Sequence, residues 1–138
     1  MVYESDLVLW AEEQATLLRE HKLGQLDAEH IAEEIEGLAR RDRREIESRM
    51  KVLLAHLLKW RYQPALQSRS WRATIATQQD EIALLLRDSP SLRSHLEQRW
   101  SELYLLARRL AVQETGMETL PAECPWTLDR VLAAENAL

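Results

Sequence analysis

Apolar residues recur at three- and four-residue steps along most of this chain, and charged residues fill the positions between them. This spacing places the apolar side chains on one face of an α-helix, and no segment shows the alternation typical of a β-strand. The pattern predicts an all-α fold, an antiparallel helical bundle of four main helices with a short carboxyl-terminal helix. Because 138 residues is close to the usual size of one domain, we expect a single helical domain over residues 1–138.

The longest uninterrupted pattern predicts one helix from about Asp27 to about Tyr62. Asp27 is its candidate N-cap, Gly37 is its only weak helix former, and Pro64 ends it. A helix of this length measures on the order of 54 Å. We expect one continuous stripe along it, formed by Ile31, Ile35, Leu38, Ile46, Met50, Leu53, Leu54, Leu57, Leu58 and Arg61.

The middle of this helix is dense in charges, and its two ends differ in character. Ion pairs four residues apart are expected between Arg41 and Glu45 and between Arg43 and Glu47. The helix begins acidic and ends basic and aromatic, and its length keeps these ends too far apart for one active site within a chain. They become neighbours only if a second copy packs antiparallel alongside.

Capping residues and helix breakers predict the other helix boundaries. The first helix is expected over residues 6–22, ended by Gly24, the third over 70–87 and the fourth over 89–116. The first residue of each of these three ranges is the candidate N-cap. A last short helix is expected over residues 127–134.

Composition and charge restrict the function classes. The balance of 46% hydrophobic and 30% charged residues is typical of a globular protein. A net charge of -5 disfavours a general duplex-binding protein, since such binding depends on Lys and Arg. Cys124 is the only cysteine, and the chain lacks a signal-peptide pattern and a membrane-spanning run. We therefore expect a cytoplasmic location and no membrane partner.

Several blocks of sequence occur in an order that resembles a known family. The blocks are IAEEIE at 31–36, HLLKWRYQP at 56–64, RSWRATI at 69–75, DSPSL at 88–92, ETG at 114–116 and CPWT at 124–127, together with Asp6 and Trp10. Over nearly its whole length the chain resembles the bacterial Domain of Unknown Function 29 family. The resemblance implies an all-helical fold and a bacterial origin, and it brings no activity with it.

The segment 59–72 is the first candidate binding surface, because it combines cations and aromatic rings and contains no acidic residue. Guanidinium groups beside aromatic rings suit phosphates, stacked bases or an acidic protein surface. The alternative is structural: cations favour a helix carboxyl terminus, and tryptophans often anchor a core. The candidate residues are Lys59, Trp60, Arg61, Tyr62, Arg69, Trp71 and Arg72.

A secondary acidic surface is formed by Glu33, Glu34 and Glu36, with His30 close by in sequence. Di-metal helical bundles use a Glu followed three residues later by His, repeated on two helices. Here His30 precedes the glutamates, and His56 lies roughly 39 Å farther along the same helix. We expect a solvated acidic face and no metal site.

No nucleophile, phosphate-loop or metal-binding motif is present, so we expect no catalytic residue and no cofactor. His56 is expected to be a hydrogen-bonded boundary residue, and Cys124 lacks the basic neighbours that activate a thiol. The leading hypothesis is a non-enzymatic protein–protein interaction or accessory module, for example an antitoxin-like inhibitor. Its partner is expected to be another protein or a second copy. The alternatives are an RNA- or anion-binding protein acting through 59–72, and a metal-dependent hydrolase.

Overall fold

The computed structural model describes residues 2–133, and within this range the chain is all-α without a β-strand. The predicted fold class is therefore confirmed. Short 3-10 turns at Leu23–Gln25 and Pro64–Leu66 precede the third and fourth helices. The helices are α1 (Val2–Ser5), α2 (Leu7–Arg19), α3 (Ala28–Tyr62), α4 (Arg69–Asp88), α5 (Leu92–Gln98), α6 (Trp100–Thr115) and α7 (Leu128–Leu132).

The long helix α3 has the predicted boundaries and contains 35 residues. At its start the carbonyl oxygen of Asp27 accepts the backbone N–H of Ile31 at 3.0 Å. At its end Pro64 opens a 3-10 turn. Local sequence signals were sufficient here, because a capping carboxylate and a proline act on their immediate neighbours.

The chain divides into two compact units within α3. The N-terminal unit ends at Arg41, and the C-terminal unit begins at Asp42. The expectation of a single domain stays a prediction. The two units are described separately below.

The C-terminal unit contains the apolar core, and the second part of α3 contributes much of it. The α3 residues in the core are Ile46, Met50, Leu53, Leu54, Ala55, Leu57 and Leu58, each at most 1% exposed. Helix α4 runs antiparallel to this segment, since Lys59 lies near Trp71 whereas Arg49 lies near Glu81. The predicted antiparallel packing of consecutive helices is observed for this pair.

Helix α6 follows the same direction as α3. Glu47 of α3 lies 3.4 Å from Arg99, which directly precedes α6, and Lys59 lies 2.5 Å from Glu114 near the end of α6. Since α4 is antiparallel to α3 and α6 is parallel to α3, α6 is antiparallel to α4. This arrangement brings the end of α3, the start of α4 and the end of α6 together.

The N-cap of α4 is Ser68, so the prediction of Ser70 was wrong. The backbone of Ser68 is extended (φ -140°, ψ 164°), and its Oγ accepts the N–H of Trp71 at 3.2 Å. Ser70 already lies inside the helix. Both serines satisfy the capping preference, and the backbone conformation decides between them.

The predicted fourth helix over 89–116 is divided into α5 and α6, and its proposed cap was wrong. Ser89 is the C-cap of α4, and α5 begins at Leu92. The interruption is at Arg99 (φ -103°, ψ 8°), where the sequence has neither proline nor glycine. Arg99 pairs with Glu47 at 3.4 Å, so the interruption coincides with a tertiary ion pair. The predicted end at Gly116, with φ 73°, is confirmed.

In the N-terminal unit Asp6 is the N-cap of α2, as predicted, and its carboxylate accepts the N–H of Leu9 at 3.0 Å. The helix ends at Arg19, three residues earlier than expected. His21 adopts the left-handed conformation with φ 58°, and Gly24 lies in the following 3-10 turn. The turn therefore depends on histidine in a conformation that glycine usually supplies.

The segment after α6 is held by side chains of that helix. Arg108 donates hydrogen bonds to the carbonyl oxygens of Glu118, Leu120 and Pro121. The hydroxyl of Tyr104 donates to Pro121 as well. These bonds satisfy backbone acceptors that no helix or strand would otherwise pair.

The final helix α7 is capped by Thr127, whose Oγ1 accepts the N–H of Arg130 at 3.2 Å. It packs on α4, where the side chain of Gln79 donates to the carbonyl oxygen of Val131 at 2.9 Å. The predicted end near Ala134 lies outside the described residues. The last described helical residue is Leu132.

Candidate functional site

The predicted basic-aromatic surface is only partly available, because Lys59 is buried. Its side chain is 8% exposed, and its ammonium group lies 2.5 Å from the carboxylate of Glu114. The same ammonium lies 5.4 Å from the centre of the Trp71 ring. Lys59 therefore links α3, α4 and α6, and its charge already has a partner within the chain.

The aromatic residues of this surface are partly buried. Trp60 and Tyr62 are partly buried and pack against the core. The guanidinium of Arg72 lies 5.8 Å from the centre of the Trp60 ring. Trp60 is thus covered on one side by a cation of the chain itself, which leaves less of its ring for a stacked base.

Three arginines of the surface remain open to solvent. Arg61, Arg69 and Arg72 are exposed, and none forms an ion pair within residues 2–133. The structure therefore brings Lys59, Trp60, Trp71 and Arg72 together through two cation–ring contacts. It leaves Arg61 and Arg69 as charged groups without such a contact among the described residues.

The predicted acidic surface is also subdivided by its contacts. Glu34 accepts a hydrogen bond from the Tyr3 hydroxyl at 2.7 Å. Glu36 lies 3.8 Å from Arg40 in an exposed ion pair, while Glu33 is exposed. Glu34 is therefore a structural acceptor, and the other two carboxylates face water.

His30 belongs to a hydrogen-bonded cluster that sequence analysis did not predict. Its Nδ1 lies 2.6 Å from Oδ2 of Asp27, and the same oxygen accepts the indole N–H of Trp10 at 3.0 Å. The Tyr3 ring stacks on the imidazole with centres 3.8 Å apart. Asp27, Trp10 and His30 were each noted in the sequence, but nothing local to one helix predicts that they meet.

Hydrogen bonds in this cluster shift three pKa values. The bond to Asp27 raises the pKa of His30, and the same bond lowers the pKa of Asp27. The bond to Glu34 raises the pKa of Tyr3 to about 12. The cluster thus favours a protonated histidine beside an ionised aspartate, which is a stabilising pair rather than a free general base.

A shallow apolar groove of about 320 Å³ lies between α2 and the first part of α3. Trp10 is the only buried residue among those described in the N-terminal unit. Ile35 and Leu38, on the α3 side of the groove, are 61% and 55% exposed. The groove is lined by Trp10, Ala11, Gln14, Ala15, Leu18, Ile31, Glu34, Ile35, Leu38 and Arg41.

The sequence did not predict this groove, although it predicted the two helices that form its walls. The sequence shows an apolar stripe on each helix, and such stripes normally face each other in a closed core. Here the two stripes line an open surface instead. In many proteins, contiguous exposed apolar surface occurs at contacts with another protein, a membrane or a ligand.

Two further candidates, His56 and Cys124, are partly buried. Nδ1 of His56 donates to the carbonyl oxygen of Val52 at 3.0 Å, and burial lowers the pKa of this imidazole. Burial raises the pKa of the Cys124 thiol, which disfavours the nucleophilic thiolate. Among residues 2–133 there is no cluster of three or more His, Cys, Asp or Glu suited to a metal ion.

Comparison with known proteins assigns the chain to a family. The family described as "Domain of unknown function DUF29" matches residues 2–136. The chain belongs to this family. The resemblance noted in the sequence is thereby confirmed, and the description of DUF29 carries no activity. No curated protein and no solved structure matches the chain, and no described helix is long and apolar enough to span a bilayer.

Proposed function

We propose that this DUF29 chain is a protein–protein interaction module, and that its N-terminal unit binds a helix in the groove between α2 and α3. The observation that supports this proposal is the exposure of Ile35 and Leu38 on the α3 wall of that groove. Helices bind such grooves through apolar residues repeated at three- and four-residue steps. The cytoplasmic location and bacterial origin stay predictions from the sequence.

Burial contrasts between the two units support the proposal. The C-terminal unit buries the apolar stripe of α3 from Ile46 to Leu58, whereas the same stripe is open at Ile35 and Leu38. Covering an exposed leucine or isoleucine contributes roughly 1.5–3 kcal/mol. An added helix would therefore gain apolar burial in the N-terminal unit.

Site-specific photo-crosslinking in the organism that encodes the chain tests this function. A photoreactive amino acid replaces Leu38 in one variant and Leu105 in a control. Leu105, on α6, is 56% exposed, and Leu38 is 55% exposed, so the two sites are matched for access. A discrete product from position 38 alone supports the proposal. No product, or equal products from both positions, contradicts it.

A second candidate function is binding of single-stranded RNA, favoured by Arg61, Arg69 and Arg72, which are exposed and form no ion pair among the described residues. Three phosphate contacts predict a slope of about -2 for log affinity against log salt concentration. Fluorescence anisotropy of labelled RNA would measure it. Replacing the three arginines by Gln should abolish binding, and Arg109→Gln, at an exposed arginine on α6, is the control. Salt-independent binding or equal loss in the control contradicts this function.

A further inference from the structure

The groove of the N-terminal unit carries no net formal charge, although it lies in an acidic part of the chain. Residues 1–41 contain ten acidic and four basic residues, a formal charge of -6. The groove lining, by contrast, includes one carboxylate, Glu34, and one guanidinium, Arg41. The remaining lining residues are uncharged, so the groove does not share the strong negative charge of the unit.

Glu34 and Arg41 stand seven residues apart, two turns of helix, on the same flank of the apolar stripe. In a heptad register that places Ile31 and Leu38 at d and Ile35 at a, both charged residues occupy g positions. Their separation of roughly 10 Å along the axis is too great for a direct ion pair within one chain. Neither forms an ion pair among the described residues.

A second copy related by a two-fold axis would allow two ion pairs between Glu34 and Arg41 of different copies. When two identical helices pack antiparallel, the axis exchanges their ends and keeps equivalent flanks on the same side. Glu34 of each copy then faces Arg41 of the other, while Leu38 and Ile35 meet at the centre. A helix with opposite charges at two consecutive g positions therefore matches a second, antiparallel copy of itself, because each charge faces its opposite.

Helix number favours the same arrangement. Each copy contributes α2 and the first part of α3, and both helices direct apolar residues into the groove. Two such pairs supply the four helices of a bundle, which encloses an apolar core that one pair leaves open. A unit of about forty residues commonly requires a partner to complete its core.

We propose, building on the interaction function above, that the groove is occupied by a second copy of this chain, with α3 of each copy antiparallel to the other and Glu34 paired with Arg41 across the interface. The arrangement is an isologous dimer centred between Ile35 and Leu38. It places the acidic start of α3 of one copy alongside residues near Arg41 of the other.

Light scattering of the full chain with paired charge reversals tests the dimer. The wild-type chain should have twice the mass of one chain. Glu34→Arg and Arg41→Glu should each halve the measured mass, because each creates two like-charge contacts. An equimolar mixture of the two variants should regain the dimer mass, since both contacts are then between opposite charges.

Controls separate this result from a loss of folding. Glu29→Arg makes the same charge change on an exposed α3 position outside the groove and should remain dimeric. Circular dichroism reports helix content. If Glu34→Arg loses helicity with its Tyr3 bond, the exposed Arg41→Glu decides alone, and its monomer mass supports the dimer.

A wild-type monomer, dimeric single variants or a mixture that stays monomeric overturns the dimer. The crosslinking experiment at Leu38 then distinguishes the two proposals. A product with a different protein retains the interaction function and excludes the second copy. The absence of any specific product removes both.

Discussion

The ammonium group of Lys59 lies 2.5 Å from the carboxylate of Glu114, although the two residues are 55 positions apart. The side chain of Lys59 is 8% exposed and that of Glu114 is 44% exposed, so the pair joins a buried ammonium to an exposed carboxylate. Because of this asymmetry, removing Glu114 and removing Lys59 should change the stability of the fold by different amounts. A buried charge without its partner is costly, whereas an exposed one is solvated by water.

We predict that Glu114→Ala destabilises the fold by about 2–3 kcal/mol, because it leaves the Lys59 ammonium buried without its carboxylate. Lys59→Met should cost less than about 1 kcal/mol, since a methionine fills similar space and Glu114 turns to water. Urea denaturation at neutral pH gives both values. Glu123→Ala, at an exposed carboxylate, is the control. Equal costs for the two variants would contradict the asymmetry.

The Asp27–His30 pair predicts a dependence of stability on pH. The raised pKa of His30 contributes stability below the ordinary value of 6.5, and this contribution is lost as pH rises through the raised pKa. The lowered pKa of Asp27 contributes stability above pH 3.8, and this stability is lost as the pH falls through the lowered pKa. The pair therefore stabilises the N-terminal unit most between pH 3.8 and 6.5.

Titration of His30 by NMR checks this prediction. The pKa of His30 should lie above 6.5 in the wild type and fall in Asp27→Asn, which cannot carry the compensating charge. Glu29→Gln removes a nearby exposed carboxylate and is the matched control. A wild-type pKa at or below 6.5 would show that the hydrogen bond does not favour the protonated ring.

Arg108 should be essential for holding the segment after α6. Arg108→Lys removes the planar group that reaches three carbonyl oxygens, and we expect a loss of about 1–3 kcal/mol. Amide hydrogen exchange should accelerate most in residues 117–126. The neighbouring Arg109 is exposed, so Arg109→Lys should change stability little. Similar exchange in the two variants would refute the role of Arg108.

The two serines at the start of α4 allow a direct comparison of the observed cap with the predicted one. Ser68→Ala removes the acceptor for the N–H of Trp71 and should cost about 1 kcal/mol. Ser70→Ala should change stability by less than about 0.5 kcal/mol, because among the described residues Thr74 bonds to the backbone oxygen of Ser70 and not to its hydroxyl. Thermal denaturation of both variants provides the measurement. The reverse order would restore Ser70 as the cap.

Features set by neighbouring residues could be predicted from the sequence. Asp6 caps α2 as expected, α3 starts after Asp27, and Gly116 ends α6. Each depends on a capping group or on a backbone conformation within one turn. The position of the α4 cap required more, because Ser68 and Ser70 are chemically equal and the path of the chain before them decides.

Ion pairs show where local reasoning failed. Glu47 was expected to pair with Arg43, four residues away, but it pairs with His95 at 2.8 Å and with Arg99 at 3.4 Å. The expected pair of Arg41 with Glu45 is likewise replaced, since Glu45 lies 3.3 Å from Arg49. Helical spacing permits several partners, and packing of other elements selects among them.

The candidate surfaces were identified by residue type and then redefined by burial. Lys59 was a candidate for an anion site, and in the structure its ammonium group pairs with Glu114. The groove went unpredicted because its walls come from α2 and α3, and a stripe on one helix does not indicate what covers it.

The sequence by itself determined the all-α fold, the extent of α3 and the apolar stripe along it, because helical periodicity and capping are local properties of the chain. The tertiary structure decided which part of the stripe is covered. Ile46 is fully buried, whereas Ile35 and Leu38 remain more than half exposed on the same helix. Coverage depends on the elements that pack from elsewhere in the chain, and periodicity within one helix contains no information about them.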